Sequence, residues 1–429
     1  MQTRSVRSVL AVACALGLFL GAPSSPRAET TVTMWSHFAD HQGVRAVFEE
    51  LVKRYEANNP GGKLKISFYE KNALFAAQST ALRAGKGPDI LYFELEFPEY
   101  IESGFLRPLD DKVDLEKYVP YTREALTFNG KVYAFPVQAY SNELYYNKAL
   151  MKKLGFELPP DKQVSQERFL EMVKKTRAEG MTPIVQGIGD RPYPGAYVLQ
   201  ELLLRKLGKD DYRNLWIGKH SFEDARVVQV FEYVKQLVDA GAYPKSFSSL
   251  KLGESHIYFH TKPGGLMFPL GTWYTSRAFN PPDKGGQPDD FQLGIMPFPA
   301  MKDGACNRCK TVSVGGAYGI NAKSPNVDLA AKVFKEMATE EIATLWLANT
   351  FVGYGIKSNP EKVGGKRGGY FRDLAEINTN ADFYLGTPIE ATRGKCREAF
   401  VQVMNSAIPA GLLGVKEAIQ LMNQGCYKA

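Results

Sequence analysis

The chain has 429 residues, which is too many for one ordinary hydrophobic core and enough for two. With 44% hydrophobic and 23% charged residues, and no evident repeat or low-complexity tract, its composition is that of a soluble globular protein. The formal net charge is +7, but three of the Arg residues lie in the first 28 positions. Without them Lys plus Arg falls from 53 to 50 against 46 Asp plus Glu, and the remaining charge is too small and dispersed to indicate a nucleic-acid partner.

Residues 1–28 are predicted to be a secretory signal peptide. Arg4 and Arg7 form its basic start, residues 9–22 carry no charge, and residues 23–28 are rich in Pro and Ser. The uncharged run is too short to span a membrane. We therefore expect an exported, periplasmic protein, with the exact cleavage site left open.

Four cysteines remain after this segment. An even number in an exported chain favours disulfides, and four cysteines allow three pairings. We favour Cys306–Cys309 together with Cys396–Cys426. Cys306 and Cys309 also have the spacing of a redox dithiol, but they lie in a loop with Gly and Lys, so a structural disulfide is the preferred interpretation over catalysis or a zinc site.

Strand-type and helix-type segments alternate at the start of the predicted mature chain. They are a strand at 31–34, an amphipathic helix at 44–58, a strand at 64–69, a helix at 75–84 and a buried-type strand at 89–93. This alternation predicts an α/β sheet, which binds ligands beyond the carboxyl ends of its strands. Trp35 and His37 follow the first strand, and Glu94 and Glu96 follow the third, so these four are candidate ligand contacts. Which of Glu94 and Glu96 points inward stays open.

The segment 129–150, NGKVYAFPVQAYSNELYYNKAL, organises the middle of the chain. Asn129-Gly130 indicates a two-residue hairpin, because both central positions of such a turn need positive φ. We expect a short strand up to Val137, a polar interruption over 138–143, a second strand at 144–146 and a helix that stops at Gly155.

This segment has the form GKxYAxPxxxxxxxLYYNKxLxxKxG and resembles a signature of extracellular solute-binding proteins of the maltose-binding type, which serve ABC importers. Residues 85–111, GKGPDILYFELEFPEYIESGFLRPLDD, resemble a second signature, and 321–339 with 351–358 resemble two more. The resemblance covers nearly all of the chain after Thr31. It implies an α/β, two-lobed periplasmic-binding-protein fold with a hinge of crossing strands and a ligand cleft between the lobes.

The resemblance also nominates ligand contacts. In that family the segment equivalent to 129–150 crosses between the lobes with its polar residues facing the cleft, which implicates Gln138 and Tyr140. Residues 265–273, GLMFPLGTW, resemble a motif whose Trp stacks on a sugar ring, which implicates Trp273. Further candidates from turns, paired glycines and later motifs are Tyr193, Tyr197, Gly315, Gly316, Tyr354, Arg393 and Arg397. The paired glycines are equally compatible with a β-bulge.

We expect residues 29–138 and 296–338 to form the first lobe, and residues 139–295 and 339–429 the second. In this division the segment 291–299 carries the chain back to the first lobe. The expected protein is a monomer without a cofactor.

The preferred hypothesis is a binding protein that closes its lobes on a mono- or oligosaccharide and delivers it to the permease subunits of an ABC importer. A neutral sugar is favoured, while a phosphorylated polyol, an acidic sugar or a polyamine remains open.

Two further alternatives are disfavoured. A glycosidase is one, because Glu94 and Glu96 are too close in sequence to flank a bond. Metal capture is the other, suggested by the spacing of His37 with His41 and of His256 with His260.

Overall fold

The computed structural model describes residues 29–191, 193–261, 264–363 and 366–428. The predicted signal peptide lies outside these residues. The strands are β1 (Thr30–Ser36), β2 (Gly62–Phe68), β3 (Ile90–Phe93), β4 (Thr127–Phe128), β5 (Lys131–Val132), β6 (Phe135–Asn147), β7 (Thr182–Ile184), β8 (Gly265–Gly271), β9 (Leu293–Met296), β10 (Cys309–Ile320) and β11 (Asp382–Leu385).

The helical elements follow the same chain order. The α-helices are α1 (Gln42–Asn58), α2 (Lys71–Arg83), α3 (Glu99–Glu102), α4 (Pro120–Ala125), α5 (Lys148–Lys153), α6 (Gln166–Ala178), α7 (Tyr197–Trp216), α8 (Ala225–Asp239), α9 (Leu252–His260), α10 (Thr275–Ala278), α11 (Val327–Met337), α12 (Glu340–Thr350), α13 (Lys366–Asn378), α14 (Pro388–Ala391), α15 (Gly394–Ala399) and α16 (Val415–Cys426). Short 3-10 turns lie at Leu115–Lys117, Tyr193–Ala196, Thr272–Tyr274, Pro282–Lys284 and Pro360–Lys362, and a π-helical segment at Phe400–Ala407. Helix α7 kinks at Gly208, where φ is 76°.

Helix α1 illustrates how the sequence pattern becomes packing. It begins two residues before the predicted start, and the apolar stripe predicted for it is buried along its whole length. The ring of Phe48 on this stripe lies 6.3 Å from that of Trp346 on α12. Helices distant in the chain therefore meet over one apolar core.

One sheet path connects most of the strands, in the order β2-β1-β3-β10-β6-β8-β7, with β11 joined to β10 and β9 to β6. β1 runs parallel to β2 and β3, and β7 runs parallel to β8. β10 and β6 run antiparallel to each other and sit in the middle of the path. The predicted hairpin is confirmed, since β4 and β5 pair around Asn129 and Gly130 with φ of 50° and 75°.

The sequence predicted two strands separated by a polar break over 138–143. This prediction is wrong, because β6 is one continuous strand of 13 residues. Its first half pairs with β10, and its second half pairs with β8 and β9. Backbone pairing on both sides supports the strand through its polar stretch. β6 and β10 are thus the strands that cross between two halves of the molecule.

Two large apolar cores lie on either side of these crossing strands. One core draws on residues 32–137 and 314–356, and the other on residues 144–309 and 396–426. We call residues 29–138 and 314–356 the first lobe, and the described residues of 139–313 and 357–428 the second lobe. The two-lobed α/β fold expected from the sequence is confirmed.

The expected return of the chain to the first lobe at 291–299 is wrong. β9 pairs with the second-lobe half of β6, and Met296 and Phe298 pack in the second core, so β10 makes the crossing instead. Trp346 and Tyr354 pack in the first core, although residues 339–429 were expected in the second lobe. Apolar contacts therefore favour boundaries near 314 and 356, and the division into lobes that move as units stays a prediction.

Both predicted disulfides are present: Cys306–Cys309 joins the loop before β10 to the first residue of that strand, and Cys396–Cys426 joins α15 to α16. None of the helices formed by the described residues combines the length and apolarity that crossing a bilayer requires.

Candidate functional site

A cavity of about 520 Å³ lies between the lobes and is lined by residues of both. This volume is in the range of pockets that enclose small organic ligands. Seven of the candidates proposed from the sequence line it, together with the weaker candidates Tyr193 and Tyr197. The seven are His37, Glu94, Glu96, Gln138, Tyr140, Trp273 and Gly315.

Aromatic rings form one wall of the cavity, which we call the aromatic wall: Tyr140, Trp273, Tyr193 and Tyr197. The Tyr140 and Trp273 ring centroids are 4.6 Å apart in an edge-on arrangement, and Tyr197 lies 6.2 Å from both Trp273 and Tyr193. All four side chains belong to the second lobe. Contiguous ring faces of this kind suit the flat apolar face of a ligand.

A charged cluster lines the first-lobe side. Lys71 at the start of α2 forms an ion pair with Glu94, which also accepts a hydrogen bond of 2.6 Å from the Tyr92 hydroxyl. Burial lowers the pKa of Lys71, but the combined effects of Glu94, Tyr193 and Glu96 outweigh burial and the net shift is upward.

Glu96 differs from Glu94 in its surroundings. Glu94 is almost fully buried against Lys71, whereas Glu96 keeps part of its surface exposed to the cavity. Burial, followed by repulsion from Glu94, raises the pKa of Glu96 to about 8. Near neutral pH this carboxyl holds a proton, so it can donate as well as accept a hydrogen bond.

Three imidazoles also line the cavity, His37 and His41 from the first lobe and His256 from the second. Burial, and then the charge of Lys71, lowers the pKa of His37. Burial likewise lowers the pKa of His41, to about 4, and that of His256, so all three are neutral near pH 7. Nε2 of His37 and both ring nitrogens of His256 are buried without a hydrogen-bond partner.

The histidine spacings do not produce a compact metal site among the described residues. Both ring nitrogens of His260 are engaged, Nδ1 with the Tyr274 hydroxyl at 2.9 Å and Nε2 with the Gly285 carbonyl at 3.2 Å. The described side chains close enough to share an ion are Cys306, Cys309 and Asp382, and the two sulfurs are joined to each other.

Glu390 is a cavity residue that the sequence analysis missed. Its carboxylate accepts hydrogen bonds from the Ser313 hydroxyl at 2.9 Å, the Tyr140 hydroxyl at 3.2 Å and the Thr387 backbone N–H at 2.9 Å. Burial raises its pKa to about 7, against the opposing effect of these hydrogen bonds. The signal in the sequence was Thr387-Pro388-Ile389-Glu390, a capping box at the start of α14.

The remaining candidates lie elsewhere among the described residues. Trp35 packs on Tyr69 with centroids 5.3 Å apart, outside the cavity lining. Tyr354 is buried in the first core, where its hydroxyl donates to the Met337 carbonyl at 3.1 Å. Arg393 is half-exposed and donates to the carbonyls of its own loop. We therefore do not propose these three residues as ligand contacts.

Gly316 leaves room for two side chains next to the cavity, Tyr92 and Gln138. A Cβ at this position would lie 2.7 Å from the Tyr92 hydroxyl and 3.0 Å from Oε1 of Gln138, so only glycine leaves these side chains where they are. Its neighbour Gly315 lines the cavity itself. The register of β10 against β6 also shifts here, so the β-bulge interpretation holds as well.

Basic residues of the cavity were also missed. Lys71 follows β2 just as His37 follows β1, so the carboxyl-end rule would have found it. Arg191 lies in the turn-rich loop before Tyr193, and Arg277 follows the Gly-x-Trp segment on α10.

The lobes contact each other next to the cavity. Nη1 of Arg397 donates to the backbone carbonyl of Glu96 at 3.0 Å. A guanidinium nitrogen of Arg277 lies 3.6 Å from the Asp40 carboxylate. The cleft is therefore in a closed arrangement, and Arg397 acts on the backbone of a cavity residue rather than on the cavity itself.

Comparison with known proteins agrees with this geometry. Residues 39–344 match the model of the bacterial extracellular solute-binding protein family. The chain belongs to this family. The resemblance inferred from the sequence motifs is thereby confirmed.

The relatives of this chain described next are distant in sequence. The multiple sugar-binding protein of Streptococcus mutans is 23% identical over 84% of this chain and 81% of its own length. The arabinooligosaccharide-binding protein of Bacillus subtilis is 24% identical over 75% and 73%. A solved chitin oligosaccharide binding protein superimposes with a TM-score of 0.78 at 19% identity, covering 92% of this chain and 97% of that one. The structural likeness establishes the shared two-lobed fold.

Proposed function

We propose that this protein binds a carbohydrate, a mono- or oligosaccharide, between its lobes in the periplasm and delivers it to the permease subunits of an ABC importer. The observation that carries the proposal is the composition of the cavity. An aromatic wall from the second lobe faces polar side chains from both lobes, some of which have buried nitrogens without partners. A saccharide offers what these surfaces lack, an apolar C–H face and a ring of hydroxyls.

The aromatic wall supplies stacking. Trp273 at its centre retains partial exposure and contacts Tyr140 and Tyr197 on its two sides. Aromatic rings bury much apolar area and bind without a charged partner. We infer that one sugar ring lies on the indole of Trp273.

Unpartnered nitrogens supply hydrogen bonds to hydroxyls. Nε2 of His37 comes from the first lobe, while Nε2 of Gln200 and the ring nitrogens of His256 come from the second. A buried polar atom without a partner costs about 1–3 kcal/mol, so a ligand hydroxyl that pairs with it gains correspondingly. A neutral imidazole both donates and accepts, as a hydroxyl does.

Binding and lobe closure are then one equilibrium. A ligand that touches both lobes has more contacts in the closed state than in the open one, and this difference in affinity shifts the population toward closure. The event needs no covalent chemistry. Only the closed form presents the two lobes together to a permease.

Related proteins and the front of the chain support the proposal. The relatives above are named for binding multiple sugars, arabinooligosaccharides and chitin oligosaccharides. Residues 1–28 have the composition of a signal peptide, which fits export to the periplasm. We propose that the protein acts as a monomer.

A thermal-shift screen of the mature protein tests this function. The panel contains hexoses, pentoses, and α- and β-linked di- and trisaccharides, beside sugar phosphates, polyamines and divalent metals. A ligand at one hundred times its Kd stabilises the folded state by about 2.7 kcal/mol, so a saccharide hit should raise the melting temperature by several degrees. If a polyamine, a phosphorylated compound or a metal produces the shift and no saccharide does, the proposal is wrong.

A further inference from the structure

We propose that the saccharide recognised by this cavity carries a protonated amino group, which binds in front of the Glu390 carboxylate beside the aromatic wall. This inference rests on the proposed function and narrows its substrate class from saccharides in general to amino-bearing ones.

Neutral hydrogen-bond donors hold the side chain of Glu390 in place. The side chain accepts hydrogen bonds from Ser313, Tyr140 and the Thr387 backbone, all of them neutral donors. Oxygens that accept this many hydrogen bonds are arranged for the ionised carboxylate rather than for the acid.

The Glu390 carboxylate has no counterion among the residues that the structure describes. Among the described residues, no Lys, Arg or His nitrogen lies within 4.0 Å of the Glu390 carboxylate. Arg393 is the cation nearest in sequence, but its guanidinium donates to the backbone carbonyls of Glu390 and Thr392 at 2.6 and 2.9 Å and is half-exposed. Glu94 on the opposite side of the cavity, by contrast, has Lys71.

The described side chains that pack around Glu390 bring uncharged groups to it, and the cations Lys71, Arg191, Lys251 and Arg277 that share the cavity form no ion pair with it. The groups that face it are the phenols of Tyr140 on β6, Tyr197 and Tyr212 on α7 and Tyr384 on β11, with Ser313 on β10 and Thr387 in its own loop. A capping role explains the bond to Thr387 but not the charge, because an amide at position 390 would cap equally well.

The surroundings of Glu390 favour a positively charged ligand group. A partly buried carboxylate without a cation is costly, and the raised pKa of Glu390, about 7, reflects this cost. Tyr140 bonds the carboxylate directly and stands edge-on to Trp273, so the same corner offers aromatic faces. A carboxylate beside aromatic rings is the combination that binds an ammonium group, through a charge-assisted hydrogen bond and cation–π attraction.

The experiment compares matched saccharides by titration calorimetry. The probes are glucosamine and galactosamine, their N-acetyl forms, the parent hexoses, and the corresponding β-1,4-linked disaccharides. We expect the free amine to bind about tenfold or more tightly than its N-acetyl and parent counterparts. Binding near pH 6 should release a proton from Glu390, seen as a difference in heat between buffers of different ionisation enthalpy.

Variants identify the group responsible. Glu390→Gln keeps an acceptor for Thr387 and should lower affinity for the amine about tenfold, while affinity for the parent sugar changes less than about threefold. Glu398→Gln, an exposed position on α15, removes the same charge and should change neither affinity. If Glu390→Gln fails to fold, proton release by the wild-type protein decides the question.

The possible outcomes separate the two proposals. If parent or N-acetyl sugars bind as tightly as the amines, or if amine binding releases no proton, this inference is wrong while carbohydrate binding stands. If no saccharide in either this set or the thermal-shift panel binds, the proposed function fails and this inference fails with it.

Discussion

The indole of Trp273 folds back over Gly271, so that a Cβ at position 271 would overlap the six-membered ring. Gly271 is the last residue of β8, and the 3-10 turn Thr272–Tyr274 follows directly. The turn sends the indole back along the strand, and only a residue without a side chain leaves room for it. The Gly-x-Trp spacing in the sequence therefore sets the position of the Trp273 indole within the aromatic wall.

The first prediction uses this relationship. Gly271→Ala should weaken saccharide binding roughly tenfold or more, as Trp273→Ala should, because the added methyl displaces the indole without touching the ligand. The backbone at 271 has φ of −66°, which alanine adopts freely, so the change acts through the indole. Titration calorimetry with the best saccharide hit measures the loss.

Trp35→Ala is the matched control, because this Trp is also half-buried but lies outside the cavity lining. It should leave the affinity unchanged. Unchanged saccharide affinity in Gly271→Ala would mean that the indole of Trp273 does not contact the ligand.

The second prediction concerns the contact between Arg397 and the carbonyl of Glu96. This hydrogen bond joins the two lobes in the closed arrangement, so we expect its loss to favour the open state by about 1.5–3 kcal/mol. Arg397→Ala should enlarge the radius of gyration of the unliganded protein and weaken saccharide affinity about tenfold. Small-angle X-ray scattering and calorimetry measure the two effects.

Lys395→Ala is the control for this prediction, since Lys395 is exposed on the same helix. It removes a positive charge without removing a bond between the lobes. Identical scattering and affinity for both variants would show that the bond of Arg397 does not hold the lobes together.

The third prediction is a loss of stability with rising pH in the unliganded protein. The pKa of Glu96 is about 8 in the folded state against 4.5 for the free group, so the folded protein keeps a proton that the unfolded chain has lost. Wherever the folded state binds more protons, stability falls as pH rises. The cavity histidines, with lowered pKa values, contribute the opposite trend, which fades above about pH 7.5 once the imidazoles of the unfolded chain have lost their protons.

The window to measure is therefore about pH 7.5 to 8.5, by urea unfolding. Glu96→Gln should make the free energy of unfolding fall less steeply with pH than in the wild type, whereas Glu398→Gln should reproduce the wild-type slope. Parallel curves for the wild type and Glu96→Gln would contradict the raised pKa.

The fourth prediction compares the two disulfides. Cys396–Cys426 closes a loop with a sequence separation of 30, and Cys306–Cys309 one with a separation of 3. On the chain-entropy argument the longer loop stabilises by roughly 3–4 kcal/mol and the shorter by roughly 2 kcal/mol. Replacing Cys396 and Cys426 by Ala should therefore cost more unfolding free energy than replacing the other pair, measured in urea. Equal or reversed losses would count against the loop-length argument.

Several features followed from the sequence because they depend on neighbouring residues. The buried stripe of α1 repeats at helical spacing, and Asn129-Gly130 suits a turn with positive φ. His37 and Glu96 reach the cavity because they follow strands, and strand ends meet at one edge of a sheet. Cys396 and Cys426 paired as expected.

Other features depended on residues far apart in the chain. The polar stretch of β6 remained a strand because β10 pairs with its first half and β8 and β9 with its second. Tyr354 and Trp346 joined the first core because α12 returns to pack against α1. Local composition carries no signal for such a return.

The sequence by itself determined the family, the alternation of strands and helices, and the side chains at the strand ends. Each of these features depends on residues that are close together in the chain. Only the tertiary structure decided which charges were left without a partner. Lys71 reaches Glu94, while Glu390 meets Ser313 and Tyr140 and no cation among the described residues. Pairing of this kind is set by distances across the fold, and those distances arise only when both lobes have packed.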